Sequence, residues 1–152
     1  EQHCILEVCS HSDDIKCGPF GTQLSKNEYV SQGIAVWGIP EINSGLTIMP
    51  TQFVTPEKAK KLSAYEIKTG DIVMSRKGNV GMCSVFPECY DPGIIHSDAI
   101  RIRVNSDVIE PVFLMHELHY SQHIRQQIID VSSGAIMPGT NVTKLKKINI
   151  FH

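Results

Sequence analysis

The stretch Gly70-Asp71-Ile72-Val73-Met74-Ser75-Arg76-Lys77-Gly78-Asn79-Val80-Gly81 decides how this chain is read. Gly70-Asp71 is a turn signal, Ile72 to Met74 is an apolar run of strand type, and Met82 to Phe86 supplies a second such run. The two runs predict a strand pair. Glycines at 78 and 81 let the connecting backbone bend sharply and leave little bulk around it. Ser75, Arg76, Lys77 and Asn79 put a hydroxyl, two cations and an amide on that turn. Such groups bind phosphates and base edges. A solvated hairpin turn uses the same residue types, so the turn alone does not separate the two.

Downstream, Ile94 to Val104 reads as one strand with the clearest alternation in the sequence. Ile100, Ile102 and Val104 share one face; Arg101 and Arg103 share the other. With Arg76 and Lys77 one strand away, the two arginines extend a basic stripe on that face. Asp98 or Glu41 are the carboxylates that would otherwise relieve their mutual repulsion. Glu110-Pro111 opens a helix to Tyr120 with Phe113, Leu114 and Leu118 inward, and Ser121 caps a second helix to about Asp130 along Ile124, Ile128 and Val131. Thr143 caps a single turn before a last strand, Ile148–Phe151.

Upstream, residues 1–17 fit a short strand or a turn of helix. Gly18 to Thr22 is a loop, Ile34 to Ile39 a strand ended by Pro40, and Phe53-Val54 a strand end. Thr55-Pro56-Glu57 starts a helix to about Ala64, with Thr55 as N-cap and proline at the first helical position. The fold class is therefore α+β: a twisted, mostly antiparallel sheet with packed helices.

A length of 152 residues fits one domain, and 41% apolar with 20% charged residues is ordinary for a globular chain. No apolar run approaches the ~20 residues of a membrane span. The start, Glu1-Gln2-His3-Cys4, has no signal-peptide pattern and no initiating methionine, as expected of an excised piece. Five cysteines without a C-x-x-C pair suggest free thiols in a reducing cytoplasm and no structural zinc. The net charge of −2 argues against a surface that grips nucleic acid all over, not against a local basic face.

Catalytic patterns are few. His116, His119 and His123 share a face only if one helix is continuous past Ser121, and position 120 breaks the H-E-x-x-H pattern. Ser75, Cys83, His96 and Asp98 supply the pieces of a triad without a nucleophile elbow. Glu57, Glu66 and Lys68 imitate a small Mg²⁺-dependent nuclease. A protein-interaction domain without DNA binding is the third alternative, motivated by the low net charge. The polar loops Ser75 to Asn79, His96 to Asp98, Ser132 to Gly134 and Thr140 to Thr143 read together as a binding surface.

In order along the chain, these pieces resemble a target recognition domain from the specificity subunit of type I restriction–modification enzymes. Gly18-Pro19-Phe20-Gly21-Thr22 resembles the early glycine loop, and Gly70 to Gly81 resembles the family's G-D-[IL]-x-x-[ST]-R-x-G-x-x-G turn. Ser97 to Ile102 resembles the strand after it, Pro111 to Leu114 the start of the paired helices, and Ser132 to Asn141 the closing S-x-G-x-x-M-P-x-x-N loop. The resemblance covers about residues 15–150 and implies a single recognition domain over 1–152, cytoplasmic and non-catalytic. It implies sequence-specific binding of double-stranded DNA, reading one half of a bipartite target. The partners it implies are a methyltransferase subunit using S-adenosylmethionine and a restriction subunit using ATP; the domain itself takes no cofactor or metal. The same module occurs fused to adenine-specific methyltransferases. The family's spacer helix is expected to be missing, because the sequence stops at Phe151-His152.

The DNA-binding residues expected on this reading are Ser75, Arg76, Lys77, Asn79, Ser97, Arg101, Arg103, Ser133, Thr140, Asn141 and Lys144. Gly18, Gly21, Gly78, Gly81 and Gly139 are expected to shape the loops.

Overall fold

In the computed structural model, residues 2–77, 79–132 and 141–151 are described. Among them, ten strands and five α-helices follow one another as β1 (Gln2–Cys4), β2 (Ile15–Cys17), β3 (Ile34–Trp37), α1 (Ile39–Asn43), β4 (Phe53–Val54), α2 (Pro56–Lys61), β5 (Glu66–Ile67), β6 (Ile72–Ser75), β7 (Cys83–Val85), β8 (Gly93–Ile95), β9 (Ala99–Ile102), α3 (Pro111–Tyr120), α4 (Gln122–Ser132), α5 (Val142–Leu145) and β10 (Asn149–Phe151). Most pairings are antiparallel, as the sequence predicts, but the strands divide into three sheets: β2-β9-β6-β7, β4-β3-β8-β5, and the pair β1-β10. The one parallel pairing among the described residues is β3 with β8, where Val36 faces Ile94 and Trp37 faces Ile95.

The expected hairpin forms. β6 and β7 pair antiparallel, with Ile72 opposite Val85 and Met74 opposite Cys83. β9 lies on the other side of β6, with Ile72 opposite Ile102 and Met74 opposite Ile100. Ile15, Ile72, Met74, Ile100 and Ile102 therefore share one face and pack with Leu114 and Leu118 of α3 and Ile124 and Ile128 of α4. Removing such a side chain from water is worth about 1.5–3 kcal/mol, so this face holds the helices to the sheet.

The opposite face is buried too. Val73 and Ala99 pack there with Trp37, Ile67 and Ile95 of the second sheet, Ile42 of α1 and Phe86, which follows β7. Every residue of β6 and β9 is buried. The alternation around Arg101 is real, but its second face meets another sheet instead of solvent.

Several boundaries differ from the sequence reading. Ile94 to Val104 is not one strand: β8 and β9 lie in different sheets, joined by the corner His96–Asp98. That corner is tied down because His96 N–H donates to Trp37 O at 2.8 Å and Ala99 N–H to His96 O at 3.0 Å. Pro40 does not end β3; Gly38 does, and Pro40 sits in the first turn of α1, where a missing N–H costs nothing. The Thr55 hydroxyl caps α2 as expected, accepting from Lys58 N–H at 3.1 Å, but the helix ends at Lys61 and a 3₁₀ turn follows over Ser63–Tyr65. Ser121 separates α3 from α4, its hydroxyl accepting from Ile124 N–H at 3.4 Å. Phe113 points outward, 49% exposed, because Leu114 and Leu118 fill the inward stripe. Asn141, not Thr143, caps α5.

Candidate nucleic-acid interface

Three polar segments meet at the end of the first sheet where β2, β6 and β9 finish or start. The first is the loop after β2. Gly18 N–H donates to Ala99 O at 3.1 Å, and a Cβ on Gly18 would lie 2.1 Å from the His96 carbonyl oxygen. Only glycine brings the backbone that close. The Phe20 carbonyl then accepts from Gln23 N–H at 2.8 Å and Leu24 N–H at 3.2 Å, closing a tight turn. Phe20 itself is 55% exposed.

The second segment is the turn after β6. Arg76 N–H donates to Asp98 O at 2.9 Å, which joins this turn to the His96–Asp98 corner. The Arg76 guanidinium carbon stands 5.7 Å from the centroid of the Phe20 ring, within reach of a cation–π attraction. Lys77 Nζ pairs with Asp98 Oδ1 at 2.9 Å, so part of its charge is offset within the site. Asn79 is exposed, and its carbonyl accepts from Met82 N–H at 3.2 Å. Gly81 has φ of +87°, a left-handed conformation that favours glycine and lets the chain re-enter β7.

The third segment is the corner itself. Asp98 N–H donates to His96 Nδ1 at 3.1 Å, which makes Nδ1 an acceptor and puts the ring proton of a neutral imidazole on Nε2. The Ser97 hydroxyl stands 3.5 Å from the same nitrogen, and the Ser97 carbonyl accepts from the Cys17 thiol at 3.2 Å. Burial raises the Cys17 thiol above its ordinary value, with Arg76 and Lys77 acting in the opposite sense. A pocket of about 390 Å³ opens beside this corner, lined by Pro19, Lys26, Tyr29, Gln52, His96 and Ser97 among others.

The expected site residues divide. Arg76, Lys77, Asn79 and Ser97 come together with Gly18 and Gly81. Asn141 and Lys144 are exposed at the start of α5, where the Asn141 side chain accepts from Lys144 N–H at 3.0 Å. Val142 of that helix lines a cleft with Cys17, Gly18 and Phe20, so α5 flanks the same loop. Gly78, Ser133, Gly139 and Thr140 lie outside the described residues.

Four expectations are corrected. Ser75 is fully buried, and its hydroxyl donates to Lys77 O at 2.6 Å; it shapes the turn from inside. Arg101 is 4% exposed, and its guanidinium donates to three backbone carbonyls, Ala64 and Glu66 at 3.0 and 2.8 Å and Asp13 at 2.6 Å. Burial first, then the neighbouring Arg103 charge, push it below the usual guanidinium value. Arg103 grips Asp71 through two hydrogen bonds of 2.8 Å, and this bonding raises it above its ordinary value. Arg101 and Arg103 therefore form no basic stripe: Arg101 is buried, Arg103 is committed to Asp71, and the relieving carboxylate is Asp71 rather than Asp98 or Glu41. A Cβ on Gly21 would meet nothing within 4 Å, so its loop-shaping role has no steric basis.

Of the triad pieces, His96 Nδ1 stands 3.7 Å from Asp98 Oδ2, while Ser75 and Cys83 are buried. Cys83 donates to the Met115 carbonyl at 3.6 Å, and burial pushes its thiol up to about 12, far from a thiolate nucleophile. Glu57 is exposed in the first turn of α2, while Glu66 lends its carbonyl to Arg101. Among the described residues no group of three or more histidine, cysteine, aspartate or glutamate side chains is placed to hold a metal ion. The phenylalanine at 20 is the member of the cluster that the expected site residues lacked; Asp98 was read as part of the polar loop His96 to Asp98, though not as the partner of Lys77. An aromatic ring flanked by Pro19 and Gly21 in a loop was the available signal for the phenylalanine.

The fold is that of solved type I restriction–modification proteins. A chain from work on complex assembly and conformational transition of the type I R-M system matches with a TM-score of 0.71 at 17% identity, over 99% of this chain and 33% of that one. The type I restriction–modification S subunit from M. genitalium matches with a TM-score of 0.62 at 15% identity, over 98% of this chain and 33% of that one. The HsdS subunit from Thermoanaerobacter tengcongensis matches with a TM-score of 0.65 at 19% identity, over 99% and 37%. The chain thus spans about a third of the length of these solved proteins. No protein-family model matches the sequence, and no curated protein does. Among the described residues no helix is long and apolar enough to cross a membrane.

Proposed function

We propose that this chain is a single, non-catalytic target recognition domain that binds double-stranded DNA and reads one half of a bipartite sequence. The observation that carries this reading is the convergence of three backbone-locked polar loops at one sheet end, on a fold shared with type I specificity subunits. Arg76, Lys77, Asn79 and Ser97 form its centre, with Asn141 and Lys144 at its flank. Guanidinium, ammonium, amide and hydroxyl groups on short loops suit a groove whose floor carries base edges and whose rims carry phosphates. The reaction chemistry belongs to partners: an adenine methyltransferase using S-adenosylmethionine and, in a restriction complex, an ATP-driven subunit. The domain works in the cytoplasm, where its DNA lies.

Selection of the chain against a randomised duplex library tests this. Enrichment of one short sequence, with the duplex intact in the presence of Mg²⁺, is the expected result. Cleavage would favour the nuclease reading with Glu57, Glu66 and Lys68; no binding at low salt would favour a protein-interaction domain.

A further inference from the structure

Single exposed apolar side chains are ordinary on protein surfaces. Phe20 differs in how firmly it is placed. Its loop enters under the His96 carbonyl, where Gly18 alone fits, and its own carbonyl closes the turn with Gln23 and Leu24. Across from it, Arg76 is held through its backbone N–H by Asp98 of the same corner. Two side chains from different segments are thus anchored to one rigid piece of backbone, with the guanidinium carbon 5.7 Å from the ring centroid.

A long arginine side chain loses rotamer freedom when it binds, and that loss weakens discrimination between a right and a wrong base. A ring beside the guanidinium removes part of that freedom beforehand. The neighbouring Lys77 is restrained differently, by a carboxylate at 2.9 Å that also offsets its charge. A planar charged fork is the group that recognises guanine O6 and N7 together.

We propose that Phe20 is a positioning residue for base discrimination: its ring presets Arg76 to meet a guanine edge in the major groove of the target half-site. This rests on the DNA-recognition reading and adds a specificity determinant to it.

The test uses the 152-residue chain, the duplex selected by it, and a copy in which 7-deazaguanine replaces each selected guanine in turn. Phe20→Leu keeps apolar bulk but removes the π face. It is expected to lower discrimination at one guanine by about three- to thirtyfold, the range of a cation–π contact from exposed to desolvated. Affinity for random duplex and melting temperature should stay unchanged, and Phe20→Tyr should retain discrimination. In the free chain, the Arg76 Nε–H resonance should carry a ring-current shift that Phe20→Leu abolishes. Wild-type discrimination in Phe20→Leu, equal weakening on selected and random duplexes, or no ring-current shift would each overturn the proposal while leaving DNA recognition standing. If the wild-type chain enriches no sequence, both readings fall together.

Discussion

Arg101 and Arg76 carry the same guanidinium within the same sheet region, yet they have opposite fates. Arg101 sits in the middle of β9, opposite Val73, on a face closed by the second sheet. There it ties together Asp13 and the Ala64–Glu66 segment, two separate parts of the chain, through their carbonyls. Arg76 sits just past the end of β6, where the sheet stops and the Phe20 ring stands beside the guanidinium. The difference shows that exposure along a strand is decided by what covers the sheet, not by the residue. A cation in mid-sheet between two layers becomes part of the scaffold. The same cation just beyond a strand end becomes part of the surface.

This contrast breaks most readily at Arg101. Arg101→Met removes the donor shared by three carbonyls, two of them on the exposed residues Asp13 and Ala64, at a cost of about 3 kcal/mol. Chemical denaturation should show that loss, and an undiminished unfolding midpoint would mean the interior role is wrong. Next comes Arg103→Ala, which strands the Asp71 carboxylate at 2% exposure. Because Arg103 itself is partly solvated, about 2–3 kcal/mol is expected, and Asp71→Asn together with Arg103→Ala should recover part of it. A double variant as unstable as the sum of the singles would show that the pair is not coupled.

Gly18→Ala probes the link between scaffold and loops. Its Cβ would lie 2.1 Å from a backbone oxygen, so the corner has to shift, for about 1–3 kcal/mol. The shift should also displace Phe20 and weaken binding of the selected duplex. Normal binding in a destabilised Gly18→Ala chain would separate the loop from the interface.

The smallest effect on stability falls at Arg76→Ala and Lys77→Ala, within about 0.5 kcal/mol, as surface changes usually do. Their effect appears in binding: Lys77→Ala is expected to make the slope of log K against log salt shallower by about 1, and Arg76→Ala to relax discrimination at one guanine. A wild-type slope in Lys77→Ala would mean that Lys77 neutralises no phosphate, and wild-type discrimination in Arg76→Ala would mean that Arg76 reads no base. A large fall in melting temperature would place them with Arg101 instead.

Much of this was legible in the sequence because it depends on neighbours a few residues apart. The hairpin of β6 and β7, the Thr55-Pro56 helix start and the break at Ser121 follow from turn chemistry and apolar periodicity, which local sequence carries directly. The order of the loops was legible too, and so was the clustering of Arg76, Lys77 and Ser97 as a polar surface. What the sequence could not express is which sheet a strand joins. Ile94 to Val104 has unbroken strand character, yet the corner at His96–Asp98 sends its two halves into different sheets. Period-two alternation states that Arg101 and Ile100 face opposite ways; it is silent on whether the arginine side meets water or a second layer. That layer is built from Trp37, Ile42, Ile67 and Ile95, residues tens of positions away in the chain except for the last. Nor does local sequence say that Phe20 and Arg76, 56 positions apart by their numbers, end on one piece of backbone. Secondary structure was thus determined by the sequence through short-range sterics and hydrogen bonding. The division of its arginines between scaffold and surface was decided only by tertiary packing, because burial of a side chain depends on distant segments that no local pattern records.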